Sequence, residues 1–125
     1  MTPFGEHVRQ LREARNISQK EMAQALGVSA AYLSALEHGK RGVPSYAFLQ
    51  RIAGYFNVIW DDADQLHRLA ELSNPKVVVE TMDLSANATR LANVLAKEIT
   101  KLDETEILQL LDRLEGVSRS SKDTS

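Results

Sequence analysis

The chain contains no cysteine, and its three histidines, His7, His38 and His67, are far apart in the sequence. Without cysteine, neither a disulfide framework nor a thiolate metal site is available. The histidine spacing does not fit metal ligation, so we expect no metal and no cofactor. A phosphate-binding glycine loop is also missing, because Gly39 and Gly42 are typical of a helix end and a turn. Since no arrangement of nucleophile, base and acid supports catalysis, we do not expect an enzyme.

Long apolar runs are missing as well. No run is long enough to cross a membrane, and the first seven residues do not form an apolar signal segment. We therefore expect a cytoplasmic protein. A chain of 125 residues, 43% of them hydrophobic, is sized for one domain or for a small domain with an appendage.

The net charge of −2 gives no overall excess of basic residues for binding nucleic acid. The charges are, however, unevenly distributed. Residues 1–56 contain seven Lys or Arg and four Asp or Glu, a net charge of +3. Residues 57–125 contain eight and thirteen, a net charge of −5. The first part of the chain is therefore the part suited to a polyanion.

Residues 18–39 show the pattern of two short helices joined by a tight turn. Ser18 is a good N-cap for the first helix, and Gly27 ends it, since glycine adopts the left-handed conformation at low cost. Ser29 can cap the second helix, and Gly39 ends it. Apolar residues recur at helical spacing in both segments, namely Met22, Ala23, Leu26, Leu33 and Leu36. This order predicts a helix-turn-helix motif.

The same segment resembles the lambda-repressor-like, XRE-type transcriptional regulators. The resemblance rests on residues at fixed spacing, which are Gln19, Ala23, Gly27, Val28, Ser29, Leu33, Ser34, Leu36, Glu37 and Gly39. It extends upstream to Phe4 and downstream to Phe56, about half of the chain. It implies a compact, all-α domain of five helices that binds double-stranded DNA.

A first helix is predicted to begin at Thr2, an N-cap, with Pro3 in its first position. Its apolar stripe consists of Phe4, Val8 and Leu11. Three arginines flank that stripe: Arg9, Arg12 and Arg15. We expect most of them on a solvated helix face, and contact with DNA is the alternative.

A fourth helix is predicted to begin at Pro44–Ser45. Asp61 or Asp62 is expected to cap a fifth helix, and Trp60 is expected to close the core just before it. The DNA-binding domain is predicted to span residues 1–74.

The segment that follows, Lys76–Met82, contains three consecutive valines, which favour a strand. No second strand within the chain offers it a partner, so a two-fold copy of the same segment would pair with it. An extended linker lying on the core is the alternative.

Two helices are predicted after this segment, the second with a capping box formed by Asp103 and Glu106. We therefore predict a strand-plus-helices dimerisation appendage over residues 75–115 and a disordered tail over 116–125. The predicted dimerisation residues are Val77, Val78, Val79, Leu91, Leu95, Ile99 and Leu102.

The family resemblance also assigns contacts to DNA. It implies that phosphates are held by the residue matching Gln19, by the loop after the second motif helix and by the start of the fourth helix; the candidates are Gln19, Lys40, Arg41, Ser45 and Tyr46. With Leu33 and Leu36 inward, the positions left to read bases are Ser29, Ala30, Ala31, Tyr32, Ser34, Ala35 and His38. The alanines can contact only apolar atoms such as the thymine methyl, so direct readout is predicted to be limited.

The sequence thus predicts a transcriptional regulator, taken as a repressor, that binds a two-fold symmetric DNA operator as a homodimer. Two alternatives stay open. An antitoxin would have the same fold and would bind a toxin protein through its C-terminal region. A protein-binding module would have kept the fold and lost DNA binding, although the presence of Gln19, Lys40 and Arg41 argues against it.

Overall fold

The computed structural model describes residues 1–123, and over that range the secondary structure is entirely helical. The α-helices are α1 (Pro3–Ala14), α2 (Gln19–Leu26), α3 (Ala30–Glu37), α4 (Tyr46–Phe56), α5 (Asp61–Glu71), α6 (Ala86–Glu98) and α7 (Glu104–Asp123). A short 3-10 helix, Ile99–Lys101, lies between the last two. The predicted all-α class and the five N-terminal helices are confirmed. None of the described helices is both long and apolar enough to span a membrane.

Side-chain caps and glycines set the lengths of the first four helices. Their N-caps are hydroxyl residues, each accepting a hydrogen bond from the backbone N–H three positions on: Thr2, Ser18, Ser29 and Ser45. Gly27 and Gly39 have φ angles of 72° and 79°. After each glycine the chain bonds back to the helix, from Val28 N–H to the Ala23 carbonyl (3.0 Å) and from Lys40 N–H to the Ala35 carbonyl (2.9 Å). The predicted caps and glycine ends of the motif are therefore confirmed.

The chain divides into two units, residues 1–77 and 78–125; we predicted a boundary near residue 74. The first unit has one apolar core, where α1 packs on α3 and α5, α2 on α3 and α4, and α4 on α5. The core includes every motif residue that we predicted to face inward, namely Met22, Ala23, Leu26, Leu33 and Leu36. The outer faces of α2 and α3 are left free by this packing.

Three expectations about the first unit are wrong. Arg12 does not lie on a solvated face; it is only 8% exposed, because it meets a buried carboxylate. Trp60 does not close the core, since it is 82% exposed. A tight turn places Trp60 itself at the N-cap position of α5, so Asp61 and Asp62 lie within the first helical turn and do not cap it.

The predicted strand at Lys76–Met82 is also wrong, because no part of the chain between residues 1 and 123 forms a strand. The segment has no regular secondary structure, with a bend at Lys76 and a turn at Met82. Two of its amides bond locally: Lys76 N–H to the Asn74 side chain (3.1 Å) and Met82 N–H to the Glu80 carboxylate (3.0 Å). A segment without a second strand leaves its remaining backbone groups to water. Nor does it lie on the core, since Val77, Val78 and Val79 are 63–86% exposed.

The second unit consists of α6 and α7 with the 3-10 helix between them. The predicted dimerisation residues Ile99 and Leu102 lie beyond α6, because Ile99 is in the 3-10 helix and Leu102 follows it with extended backbone angles. The predicted capping box is confirmed: Asp103 accepts from Glu106 N–H (2.8 Å), and Glu106 accepts from Asp103 N–H (3.2 Å). The backbone is helical as far as Asp123, where we predicted a disordered tail over 116–125. Residues 124–125 of that tail lie outside the described part of the chain.

Candidate nucleic-acid interface

The face of α3 that points away from the core consists mainly of small side chains. Ser29, Ala30, Ala31 and His38 are exposed, and Tyr32, Ser34 and Ala35 are partly exposed. Every position that we predicted to read bases is therefore accessible to a ligand. A helix with such short side chains can approach the floor of a groove closely, and it offers few hydrogen-bonding groups there.

His38 is the most versatile polar group on this face. Its Nδ1 lies 2.8 Å from the backbone carbonyl oxygen of Ser34. Because a carbonyl can only accept, Nδ1 carries the proton in this contact, and Nε2 of the neutral ring is left as an acceptor. An acceptor at this place is complementary to the amino group of adenine or cytosine in a major groove.

Two aromatic rings, with an arginine over each, connect the loop after α3 with the end of α2. The Arg41 guanidinium lies over the Tyr32 ring at 5.3 Å, and Tyr32 meets Phe48 edge to face at 6.3 Å. Arg51 lies over Phe48 at 5.6 Å and donates to the Leu26 carbonyl. These contacts orient Arg41. Arg41 has no ion-pair partner among the described residues, so its charge stays available to an anion.

The other predicted phosphate ligands are also exposed, but two of them are already engaged. Lys40 is exposed beside Arg41. The Ser45 hydroxyl caps α4 by accepting from Phe48 N–H at 3.2 Å. Tyr46 accepts from the Gln50 amide at 3.0 Å, and its ring stacks on His67 at 4.8 Å. Tyr46 therefore makes its ring contact with α5.

Gln19 begins α2, and a buried carboxylate orients its side chain. The Gln19 Nε2 donates to the Glu37 Oε2 at 3.2 Å. An amide nitrogen has two hydrogens, so one remains for a further acceptor. The first N–H groups of α2 have no intrahelical acceptor either. The start of α2 thus presents both side-chain and backbone donors to an anion.

Glu37 ties the last turn of α3 to α1 as well. Its fully buried carboxylate accepts from Arg12 Nη2 at 2.8 and 3.0 Å. Its backbone carbonyl accepts from the N–H (3.1 Å) and the hydroxyl (2.9 Å) of Thr2. Gly5 packs directly on that carbonyl, and a Cβ there would overlap it. These contacts hold the second motif helix at a fixed position against α1.

The Arg12–Glu37 pair is electrostatically costly to bury. Burial raises the pKa of the Glu37 carboxyl, while the Arg12 charge and the Gln19 hydrogen bond act in the opposite direction. The Nε of Arg12 is buried without a hydrogen-bond partner among the described residues. Such a pair adds little net stability, but losing one partner is expensive.

Sequence reasoning missed this pair, although a signal for it exists. Arg12 follows Val8 by four positions, and Glu37 follows Leu33 by four, so both charges lie within apolar helical stripes. A charge at such a position is expected to have a buried partner. Sequence reasoning also missed Arg51, and no signal for its bond to the end of α2 is visible in the sequence.

Comparison with known proteins finds one matching family model and several similar transcriptional regulators. A family model described as a helix-turn-helix domain matches residues 3–69. The HTH-type transcriptional repressor RghR of Bacillus subtilis is 47% identical over 53 residues, which are 42% of this chain and 39% of that protein. The uncharacterized HTH-type transcriptional regulator RghRB of the same species is 37% identical over 62 residues, 50% of this chain and 45% of that protein.

A third relative, the HTH-type transcriptional activator BcrR of Enterococcus faecalis, is 36% identical over 74 residues, 57% of this chain and 36% of that protein. The chain therefore spans less than half the length of each of these three relatives. No solved structure matches it.

Proposed function

Because the chain belongs to the helix-turn-helix domain family, we propose that it is a sequence-specific transcriptional regulator that binds double-stranded DNA. In this proposal α3 enters the major groove and α2 crosses the DNA backbone. The observation that carries it is the accessible outer face of α3, which has Gln19 at its Glu37 end and Arg41 at its Tyr32 end.

Phosphate contacts would come from both ends of the motif. The second amide hydrogen of Gln19 and the first N–H groups of α2 would bind on one side, with Lys40 and Arg41 on the other. Ser45 and Tyr46 would contribute from the start of α4. These contacts position the protein on the duplex, and they are expected to be sensitive to salt.

Base readout would come from the small outer face of α3. Ala30, Ala31 and Ala35 would contact thymine methyl groups, and the free Nε2 of His38 would accept from an amino group of adenine or cytosine. Ser29, Ser34 and Tyr32 would add the remaining polar contacts. A regulator with this readout would gain specificity by using two half-sites.

We infer repression as the mode of action, and the relative RghR, which is named as a repressor, supports it. A protein that only covers a promoter needs no surface beyond its DNA interface and its dimer contacts. The relative BcrR is named as an activator, so the sign of regulation must be tested by a reporter gene under the selected operator.

We further infer that the protein binds as a homodimer through its second unit. No side chain described between residues 78 and 117 is fully buried. Leu91, Leu95 and Ile99 are 40–63% exposed, and so are the facing leucines of α7. Together the two helices form an apolar groove lined by Leu95, Ile99, Leu102, Ile107, Leu110, Leu111 and Leu114. A helix pair with so little buried surface needs a partner to be stable.

Selection of bound sites from random DNA tests the function directly. We expect two-fold symmetric sites with half-sites about one helical turn, roughly 10 base pairs, apart and two chains on each site. Ala31→Glu should abolish binding, because it places a carboxylate in the groove. Ala86→Glu, at an exposed position at the start of α6, is the matched control. Normal binding by Ala31→Glu would contradict the proposed docking of α3.

Sedimentation of surface variants tests the dimer. Leu114→Glu, at a side chain that is 58% exposed, should shift the full chain from dimer to monomer and weaken DNA binding. Thr100→Glu, an exposed polar position of the same unit, should leave the dimer intact. A monomeric wild type that co-purifies with a small basic protein would support the antitoxin alternative instead.

A further inference from the structure

The only tryptophan of the chain lies at a turn and N-cap position for which its side chain is poorly suited. Trp60 lies between α4 and α5 with φ 56° and ψ −125°. The Ile59 carbonyl accepts from Asp62 N–H at 3.2 Å, so these residues form a tight turn. Dihedral angles of this kind at the first central position of a turn favour glycine. Trp60 is also the N-cap of α5 and supplies no capping bond.

The strained residue brings no compensating burial. The Trp60 side chain is 82% exposed, and the neighbouring Ile59 is 62% exposed. Strained backbone and exposed large apolar side chains are both features that binding sites retain at the expense of stability. Tryptophan is also among the residue types enriched at the positions that contribute most of the binding energy of protein interfaces.

Two adjoining grooves share Trp60 as their common wall. The first is apolar and is lined by Gln50, Ala53, Gly54, Val58, Ile59, Trp60 and Ala63. Its floor is open at Gly54, since no atom lies within 4 Å of the place that a Cβ would take. The second groove is polar and contains Tyr46, Asp64, His67 and Glu71 beside Trp60.

The charge around these grooves decides which occupant fits. The first turn of α5 carries Asp61, Asp62 and Asp64, and Glu71 lies two turns further on. None of the four has an ion-pair partner among the described residues. A nucleic acid would be repelled here. A second copy meeting this surface about a two-fold axis would set the same carboxylates against each other.

We propose that the Trp60 corner, defined as the two grooves lined by the residues above, binds a segment of a partner protein that pairs an apolar side chain with a Lys or Arg. The apolar side chain enters the first groove beside Gly54. The cation lies in the second groove, against Asp64 and Glu71 and the faces of Trp60 and Tyr46, where carboxylates and rings both attract it. This inference does not rest on DNA binding, because the corner lies outside the outer face of α3.

Three labelled short peptides test it on the full-length protein: one alternating leucine and lysine, one leucine and glutamate, one serine and lysine. Anisotropy should give a dissociation constant for the first peptide about tenfold lower than for the others. The same peptide should move the emission of Trp60 to shorter wavelengths, because it removes the indole from water. Equal binding of the three peptides would overturn the proposal.

Variants separate this surface from the rest of the molecule. Trp60→Gly suits the turn and should stay folded, yet it should weaken the leucine–lysine peptide about tenfold. Asp64→Asn combined with Glu71→Gln should weaken it severalfold and reduce its salt dependence. Thr100→Glu, at an exposed polar position of the second unit, should leave the affinity for this peptide unchanged. An affinity that Trp60→Gly leaves unchanged would refute the site.

The emission of the free protein distinguishes other occupants. The proposal requires that Trp60 fluoresce at the long wavelengths of a water-exposed indole at every protein concentration. A shift to shorter wavelengths on concentration alone would show a second copy on the corner and overturn the proposal. Emission of a buried indole in the dilute full chain would show that the chain covers the corner itself, which would also overturn it.

Discussion

The buried pair of Arg12 and Glu37 leads to a quantitative prediction. Arg12→Met and Glu37→Leu each remove one charge and leave the other in the core, whereas the double variant replaces the pair by apolar side chains of similar length. Glu37 is fully buried and Arg12 is 8% exposed, so water cannot solvate the charge that remains. The two single variants and the double variant form a complete thermodynamic cycle.

The expected magnitude is large relative to the stability of the unit. Removing one partner of a buried pair costs about 3–5 kcal/mol. The folded unit of residues 1–77 is expected to be stable by roughly 4–12 kcal/mol, at about 0.05–0.15 kcal/mol per residue. Each single variant should therefore lose a large part of its stability. The double variant should lose less than about 2 kcal/mol, since burying apolar side chains avoids the desolvation of both ions.

Urea unfolding of the full chain, followed by circular dichroism, measures the cycle, and hydrogen exchange of the buried Leu33 and Leu36 amides assigns the loss to α3. A coupling free energy of at least about 4 kcal/mol is expected, because the two single losses together should exceed the loss of the double variant by that amount. Losses that simply add would refute the argument, because they would mean that neither ion depends on the other. The double variant should also bind DNA more weakly, since Gln19 loses the carboxylate that orients it.

Four further predictions concern Gly5, Trp60, Arg41 and the thymines of the operator. Gly5→Ala should destabilise the first unit by about 3 kcal/mol, because the new methyl group would overlap the Glu37 carbonyl; Gly54→Ala, with open space around it, should gain about 0.5–1 kcal/mol in α4 and is the matched control in thermal unfolding. Trp60→Gly should raise the free energy of unfolding by about 1 kcal/mol, since it relieves the positive φ angle; a lower melting temperature would contradict the strain. Arg41→Ala should weaken binding to all DNA sequences alike and lower the salt slope by about one unit, whereas an unchanged slope would show that Arg41 contacts no phosphate. Uracil in place of the thymines opposite the alanines of α3 should reduce affinity, and no loss at any such position would exclude methyl contacts.

The helix-turn-helix and its supporting helices were predictable because their signals are local. A cap and its bonded N–H are three residues apart, a glycine end acts on the turn just before it, and an apolar stripe repeats within two turns. Ser18, Gly27, Ser29 and Gly39 therefore delimit α2 and α3 in the structure as they do in the sequence. Residues that face away from a helix's apolar stripe can be named in the same way, which gave the outer face of α3.

The strand at Lys76–Met82 shows where local signals fail. Three valines favour a strand, but the segment has no regular secondary structure. A strand is defined by hydrogen bonds to a second strand, and none of the described residues supplies one. Local propensity carries no information about such a partner.

The chemistry of the candidate interface depended on tertiary structure for the same reason. Arg12 and Glu37 are 25 positions apart, and Arg51 is 25 positions from the carbonyl that it caps. Trp60 was expected to close the core because it precedes α5, whereas in the structure a tight turn holds it and its side chain is exposed. The sequence by itself determined which segments are helical and which faces are apolar, because those properties arise from neighbours in the chain. Tertiary structure decided which charges are buried together and which ring is left in water, because burial depends on residues that approach only when the helices pack.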